Sequence, residues 1–467
     1  MKTQFVNREP ELDFLNEKWR ENNAQLVVIY GKRRAGKTET SVQFAKDKPH
    51  IYFLCEKIAS RSQLKKFTEA VGGYFKDEFL PGEGFSDWET AFKYISNRKE
   101  KIALIIDEFP YLVETDEAIP SSFQKAWDLH LEDSKVYLLL LGSSISMMER
   151  TTLSYKAPLY GRRTGQLLIK PFKFKELKKI FPEKSFDELL SIYSAVGGTP
   201  LYLNKFRGRD CLDVIKDEIL KKGQPLYEEV EFLLREELKE PRNYFVILEA
   251  LSLGNHKLSE IINETGLDKG TVSRYISILD NLQITGKETP VTEKMPGKSR
   301  KGIYSIEDNF FSFWFRFVFR NRSLLEEHRI NEAASKIKEA MPGLSAKTYE
   351  KISGEILFGA VLDKKLPLEF EAYGRWWDKN GEIDLVAVNS RTNEILFGEV
   401  KWSNRPVGTN IYEDLRKKPQ KVEWGGKNRK EHFALFSKAG FTPEMEKIAK
   451  KESIYLFHGD KLINSDH

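Results

Sequence analysis

Eight residues, Gly31-Lys32-Arg33-Arg34-Ala35-Gly36-Lys37-Thr38, constrain the fold of this chain more than any other stretch. Their spacing, G-x-x-x-x-G-K-[ST], is that of a phosphate-cradling P-loop. They lie between an apolar run at 26–30, which reads as a buried strand, and a helical pattern at 39–45. Gly31 and Gly36 let the backbone turn its N–H groups toward phosphate oxygens, and the start of the helix adds positive potential. Lys37 can reach the β- and γ-phosphates of a nucleotide, and the Thr38 hydroxyl can ligate Mg²⁺. All eight residues are therefore candidate cofactor-binding residues, and the cofactors they point to are ATP and Mg²⁺.

A second motif agrees with the first. Lys101-Ile102-Ala103-Leu104-Ile105-Ile106-Asp107-Glu108 is an apolar strand that ends in two acids. In P-loop NTPases such a strand lies beside the P-loop, and its first acid, here Asp107, holds Mg²⁺ through water. Glu108 is then placed to polarise a water for attack on the γ-phosphate. Water as the acceptor favours hydrolysis and disfavours a small-molecule kinase. A third strand, 136–141, ends in Gly142-Ser143-Ser144. A polar side chain there can sense the γ-phosphate, or the segment can be an ordinary loop. In Leu159-Tyr160-Gly161-Arg162-Arg163-Thr164, Arg162 is the candidate for neutralising transition-state charge, in cis or from a neighbouring subunit. The second case would make the chain a homo-oligomer. A solvated loop is the competing explanation.

Strands alternate with amphipathic stretches over 1–170, the signature of a parallel α/β sheet. Residues 171–235 are helical and charged and read as a lid subdomain. Residues 236–325 carry a winged-helix pattern. Helices are expected from 244 to 253 and from 257 to about 266, and Asp268 can cap a third, 269–282. In that third helix Val272, Ile276 and Leu279 recur at i, i+4 and i+7 and form a buried face, leaving Thr271, Ser273, Arg274 and Ser277 on or near the exposed side. The segment 285–305 reads as a wing, with Lys294, Lys298, Arg300 and Lys301 near its tip. A helix in the major groove with a basic wing on phosphates is a DNA-docking geometry. Packing against the ATPase or a partner protein is the alternative.

The remaining residues, 326–467, hold a second constellation. Residues 381–388 and 395–402 read as paired strands around a turn at 389–393. Alternation along the second strand sends Glu399 and Lys401 to one face, where Asp384 can join them. Two carboxylates and a carbonyl suit a hard divalent cation. A lysine beside it can orient or deprotonate water. Charges alternating on a solvated hairpin would give the same pattern.

Several of these motifs carry a family resemblance. Phe5-Val6-Asn7-Arg8-Glu9 with Leu12 resembles the N-terminal adenine-side box of AAA+-type ATPases, which makes Arg8 a cofactor-side residue. The P-loop, the Asp-Glu strand, Gly142-Ser143-Ser144 and Gly161-Arg162 follow in that family's order. Gly197-Gly198-Thr199-Pro200 resembles the Gly-Gly-x-Pro signature of an archaeal and bacterial ATPase group near the STAND NTPases. The whole chain resembles members of that group with a C-terminal nuclease-like domain. The resemblance implies a nucleotide-switched ATPase. Asp384, Glu399 and Lys401 look like the D…(D/E)-x-K core of the restriction-endonuclease-like superfamily. That fold opens with a glutamate-bearing helix, which makes Glu350 the third metal candidate, with Glu355 second.

Composition is compatible with this organisation. A chain of 467 residues, 40% hydrophobic, can bury about three cores. No apolar run approaches the roughly 18 residues of a membrane span, and the N-terminus lacks an apolar signal region. A cytoplasmic protein without a membrane partner is expected. Cys55 and Cys211 are too few and too far apart for a disulfide framework or metal site, and both read as small buried apolar residues. A net charge of +5 permits DNA binding without arguing for it. Two function classes follow: an ATP-gated nuclease acting on DNA, and an ATP-switched DNA- or protein-binding machine whose C-terminal domain does not cut.

Overall fold

The computed structural model describes residues 7–463, except Lys239, Lys427 and the side chains of Pro81 and Glu83. Phe5 and Val6 of the N-terminal box lie outside the described residues. The chain forms two compact units. The first gathers residues up to 172 with 199–204 and 231–240; the second gathers 173–198, 205–230 and 241 onward.

The first unit is built on five parallel strands: β1 (Gln25–Tyr30), β2 (His50–Leu54), β3 (Ile102–Asp107), β4 (Val136–Gly142) and β5 (Gly165–Leu168). Their order is β2-β3-β4-β1-β5. β1, β3 and β4 are almost wholly buried, as near-continuous apolar strands in a doubly covered parallel sheet must be. Alternation divides their side chains between two layers. Leu26, Val28, Leu104, Ile106, Leu138 and Leu140 pack with Phe67, Phe92 and Phe123 on one face. Val27, Ile29, Ala103, Ile105, Leu139 and Leu141 pack with Leu15 and Phe44 on the other.

β4 is inserted between β1 and the Asp-Glu strand β3 and pairs with both, and Asp107 at the end of β3 lies beside the P-loop, accepting from Thr38 Oγ1 at 2.7 Å. All three strands are parallel, so their C-terminal ends still open at one edge of the sheet. That is where ligands bind in open α/β folds.

The second unit contains three helices, Arg242–Ser252, Leu258–Thr265 and Lys269–Asn281, followed by the hairpin of β6 (Thr285–Glu288) and β7 (Ile303–Ile306). Asp268 caps the third helix by accepting from Thr271 N at 3.0 Å, and Val272, Ile276 and Leu279 are buried. The C-terminal sheet has six strands: β8 (Ala372–Asp378), β9 (Gly381–Asn389), β10 (Glu394–Lys401), β11 (Lys430–Ser437), β12 (Tyr455–His458) and β13 (Lys461–Leu462). β8, β9 and β10 are antiparallel, whereas β10, β11 and β12 are parallel. The 33-residue helix Ile330–Leu362 packs on this sheet and buries Tyr349, whose hydroxyl donates to Gly459 O at 2.8 Å.

Both cysteines are free. Cys55 is buried, but Cys211 is only half-buried, because it opens the short helix Cys211–Val214 beside the exposed cap Asp210. Among the described residues no helix is long and apolar enough to cross a membrane.

Gly31 is where the fold tolerates no side chain. Its φ is +145°, and a Cβ would lie 2.3 Å from the Ile169 carbonyl oxygen just after β5. Gly31→Ala is expected to destabilise the first unit by about 1–3 kcal/mol, read as a lowered denaturant midpoint. An unchanged midpoint would show that the turn relaxes freely.

Candidate functional site

The P-loop closes around a buried cation. Lys37 is 6% exposed and donates from Nζ to the carbonyls of Gly31 and Lys32, both at 3.0 Å. Burial pushes its ammonium down to about 8, against the opposing pull of Glu108 and Asp107. Gly36, at φ +96°, supplies the left-handed residue from which the helix Lys37–Ala45 departs. Arg34 also has positive φ.

Asp107 sits 2% exposed at the end of β3. Its Oδ2 accepts from Thr38 Oγ1 and from the Tyr52 hydroxyl, each at 2.7 Å, while its Oδ1 accepts from Glu108 N at 2.9 Å. Burial and the bond to Asp107 both push the Tyr52 phenol up, which keeps it a donor. A hydroxyl and a carboxylate in contact form an oxygen pair that suits Mg²⁺. Glu108 adopts φ +54°, and Ser143 Oγ donates to its carboxylate at 2.8 and 2.6 Å. Ser143 is thus the polar residue at the tip of β4 that meets the acid pair. Tyr52 went unrecognised in the sequence, because β2 carries no motif.

The other sequence-proposed arginines have defined partners. Arg8 is buried and donates to Ala35 O and Lys170 O, both at 2.8 Å, with Glu11 Oε1 at 3.0 Å and the Phe172 ring 4.7 Å away. It braces the inside of the P-loop. Arg162 makes a bidentate pair with Asp128, both bonds 2.9 Å. Arg33 donates to Tyr111 and Glu236, each at 2.9 Å.

In the second unit the β9–β10 pairing ends at Leu385 and Gly398, which brings Asp384 opposite Glu399. Asp384 Oδ2 accepts from Val400 N at 2.9 Å. Burial raises the Asp384 carboxyl, and the neighbouring Glu399 raises it further. Glu399 is 9% exposed, and its two oxygens are held separately: Oε1 by Lys401 Nζ at 2.6 Å and Oε2 by Lys418 Nζ at 2.7 Å. Burial opposes the Lys401 charge, but Glu399, Asp384 and Glu350 outweigh it and hold that ammonium up.

Glu350 is raised by burial and then by Asp384, so it belongs to the same group. Glu355 is raised by burial and feels Lys173 and Glu176 instead, which separates it from the group. Lys418 follows the helix Thr409–Lys417 and has no motif that would have revealed it. Among the described residues no three carboxylate, imidazole or thiolate groups converge as a metal cage.

Glu350 and Asp384 face a cleft of about 780 Å³ that Lys347, Lys351, Arg375 and Lys287 also line. Lys287 belongs to β6. The wing is tied to this sheet, with Val291 N donating to Arg375 O at 3.0 Å and Arg375 pairing with Glu288 at 3.2 Å. On the third helix Ser273, Arg274 and Ser277 are exposed, as are Lys294, Lys298, Arg300 and Lys301 of the wing.

Residues 5–206 match a family described as an ATPase domain predominantly from Archaea. Residues 246–284 match the bacterial regulatory proteins of the arsR family, and residues 314–417 match archaeal and bacterial proteins of unknown function. The Methanocaldococcus jannaschii protein named Uncharacterized protein MJECL04 is 40% identical over 440 residues, which span 93% of this chain and 95% of that protein. A stretch of 44 residues, 9% of this chain, is 52% identical to 75% of the same organism's Uncharacterized ATP-binding protein MJ0423. The Walker-type ATPase PABY2304 of Pyrococcus abyssi shares the fold, with a TM-score of 0.50 at 20% identity over 68% of this chain and 97% of that one. The chain thus carries an archaeal-type P-loop ATPase domain and a helix-turn-helix region.

Removing the Arg8 guanidinium would leave the Ala35 and Lys170 carbonyls without these donors. Arg8→Ala is expected to cost about 1–3 kcal/mol, measured as a lower melting temperature. Arg8→Lys keeps the charge but cannot span both acceptors, so it should recover only part of the loss.

Proposed function

This chain belongs to the same family as Uncharacterized protein MJECL04 of Methanocaldococcus jannaschii, and we propose that it binds and hydrolyses ATP. The observation that carries the proposal is the Thr38–Asp107–Glu108–Ser143 chain of hydrogen bonds around the buried Lys37. Lys37 and the backbone of residues 31–38 hold the phosphates. Thr38 and Asp107 would hold Mg²⁺, which when bound neutralises phosphate charge. Glu108 accepts a proton from water as the water oxygen bonds to the γ-phosphorus and the bond to the ADP oxygen breaks.

Lys37→Ala is expected to abolish nucleotide binding. Glu108→Gln is expected to bind ATP but slow hydrolysis by about 10²-fold or more; hydrolysis at the parent rate would remove Glu108 from the role of base. The Lys37 ammonium must be charged to hold phosphate, and in the free protein it titrates at about 8. Bound phosphate favours the charged form, so binding takes up a proton above that pH. ATP affinity is expected to be flat below about pH 8 and to fall by up to about tenfold per unit above it, measured by titration calorimetry. A flat profile to high pH would contradict this.

We further propose that the helix Lys269–Asn281 and the basic wing contact DNA, and that Asp384, Glu399 and Glu350 serve a metal-dependent phosphodiester cleavage. Asp384 and Glu399 crowd like charges that a divalent cation would relieve. Lys401 would orient the attacking water, and Lys418 is a second cation at the same carboxylate. A non-cutting binding machine is favoured instead by the capture of both Glu399 oxygens by lysines.

Cleavage of linear, supercoiled and single-stranded DNA with Mg²⁺ or Mn²⁺, with and without ATP, separates the two. Cutting that disappears in Lys401→Ala supports the nuclease. No cutting on any substrate, with ATP hydrolysis intact, supports the binding machine.

A further inference from the structure

The helix Glu229–Glu237 ends in two adjacent carboxylates, and residues 231–240 pack within the first unit although 205–230 and 241 onward belong to the second. Glu236 Oε2 accepts from Arg33 Nη2 at 2.9 Å and lies 3.6 Å from Lys57 Nζ. The same helix meets Arg33 a second time through Phe232, whose ring centroid is 5.7 Å from the guanidinium. Glu237 accepts from Ser144 Oγ at 3.1 Å and from Ser146 Oγ at 3.2 Å, immediately after the Ser143 that holds Glu108. Its charge is also felt at Lys37. Two carboxylates from a distant part of the chain thus bind groups on both sides of the phosphate site.

We propose that residues 229–237 form an acidic strap that Glu236 and Glu237 fasten over the nucleotide site and that the phosphates of ATP displace. The proposal rests on the ATPase reading and deepens it by naming these two glutamates as positioning residues. A guanidinium or ammonium uses the same donors for carboxylate and for phosphate. Glu236 therefore occupies on Arg33 the capacity that a phosphate oxygen would take. A triphosphate also brings several negative charges next to Glu237, which raises the free energy of the fastened state. Release has a readable consequence, because the strap is covalently continuous with the second unit on both sides. Nucleotide state in the P-loop would then be passed along the backbone without a bound partner.

The test uses the full chain and fluorescent analogues of ATP and AMP. It compares wild type, Lys37→Ala, and the double variant Glu236→Gln/Glu237→Gln, with hydrogen exchange followed over 229–237. The double variant is expected to bind the ATP analogue about three- to tenfold more tightly and to leave AMP affinity unchanged, since AMP lacks the competing β- and γ-phosphates. In wild type, ATP is expected to speed exchange of the helix, and Arg33→Ala is expected to speed it without ATP. An unchanged or weaker ATP affinity in the double variant, or exchange that does not respond to ATP, overturns the strap. If the double variant does not fold, the wild-type exchange response and Arg33→Ala decide. Failure of the ATPase reading looks different: wild type itself would then bind no better than Lys37→Ala.

Discussion

A buried ammonium needs oxygen partners, and in this protein that need shapes the P-loop. Lys37 takes the carbonyls of Gly31 and Lys32, which forces the loop to curl over its own side chain. The curl requires Gly31 and Gly36 to adopt positive φ, and it presses Gly31 against Ile169. Arg8 does the same from the other side, tying Ala35 to Lys170. The phosphate cradle is therefore held in shape by two cations whose hydrogen bonds go to backbone carbonyls. The depressed Lys37 titration shows that this geometry is held against the preference of the charge for water.

The acids are arranged around that cradle by sheet order. With β4 inserted between β1 and β3, the tip of β4 brings Ser143 against Glu108, while Asp107 turns to Thr38 and Tyr52. Every acid at the edge has a donor, so each side chain is oriented before any ligand arrives. Arg33 is likewise committed to Glu236 and Tyr111.

The C-terminal sheet solves a different electrostatic problem. Burial and the nearby Glu399 carboxylate raise the Asp384 carboxyl, while Lys401 and Lys418 each hold one oxygen of Glu399. The wing hairpin is hydrogen-bonded to the β8 side of this sheet, so the helix-turn-helix region and the acidic cleft form one compact unit.

Much of this was legible in the amino-acid sequence because the governing physics is local. The apolar runs that became β1, β3, β4, β9 and β10, the glycine spacing of the P-loop, the Asp268 cap and the i, i+4, i+7 stripe of Val272, Ile276 and Leu279 each depend on residues within one or two turns. The pairing of Glu399 with Lys401 was legible for the same reason, since alternation along a strand fixes which side chains share a face. Tertiary structure alone decided the contacts that span the chain. The insertion of β4, the 27-residue reach of Arg8 to Ala35, the 203-residue reach of Arg33 to Glu236, and the arrival of Lys418 at Glu399 follow from how elements pack. Arg162 met Asp128 for the same reason. Charged side chains carry no periodic mark of their eventual partner, so their pairing is settled only when folding brings distant segments into one low-dielectric neighbourhood.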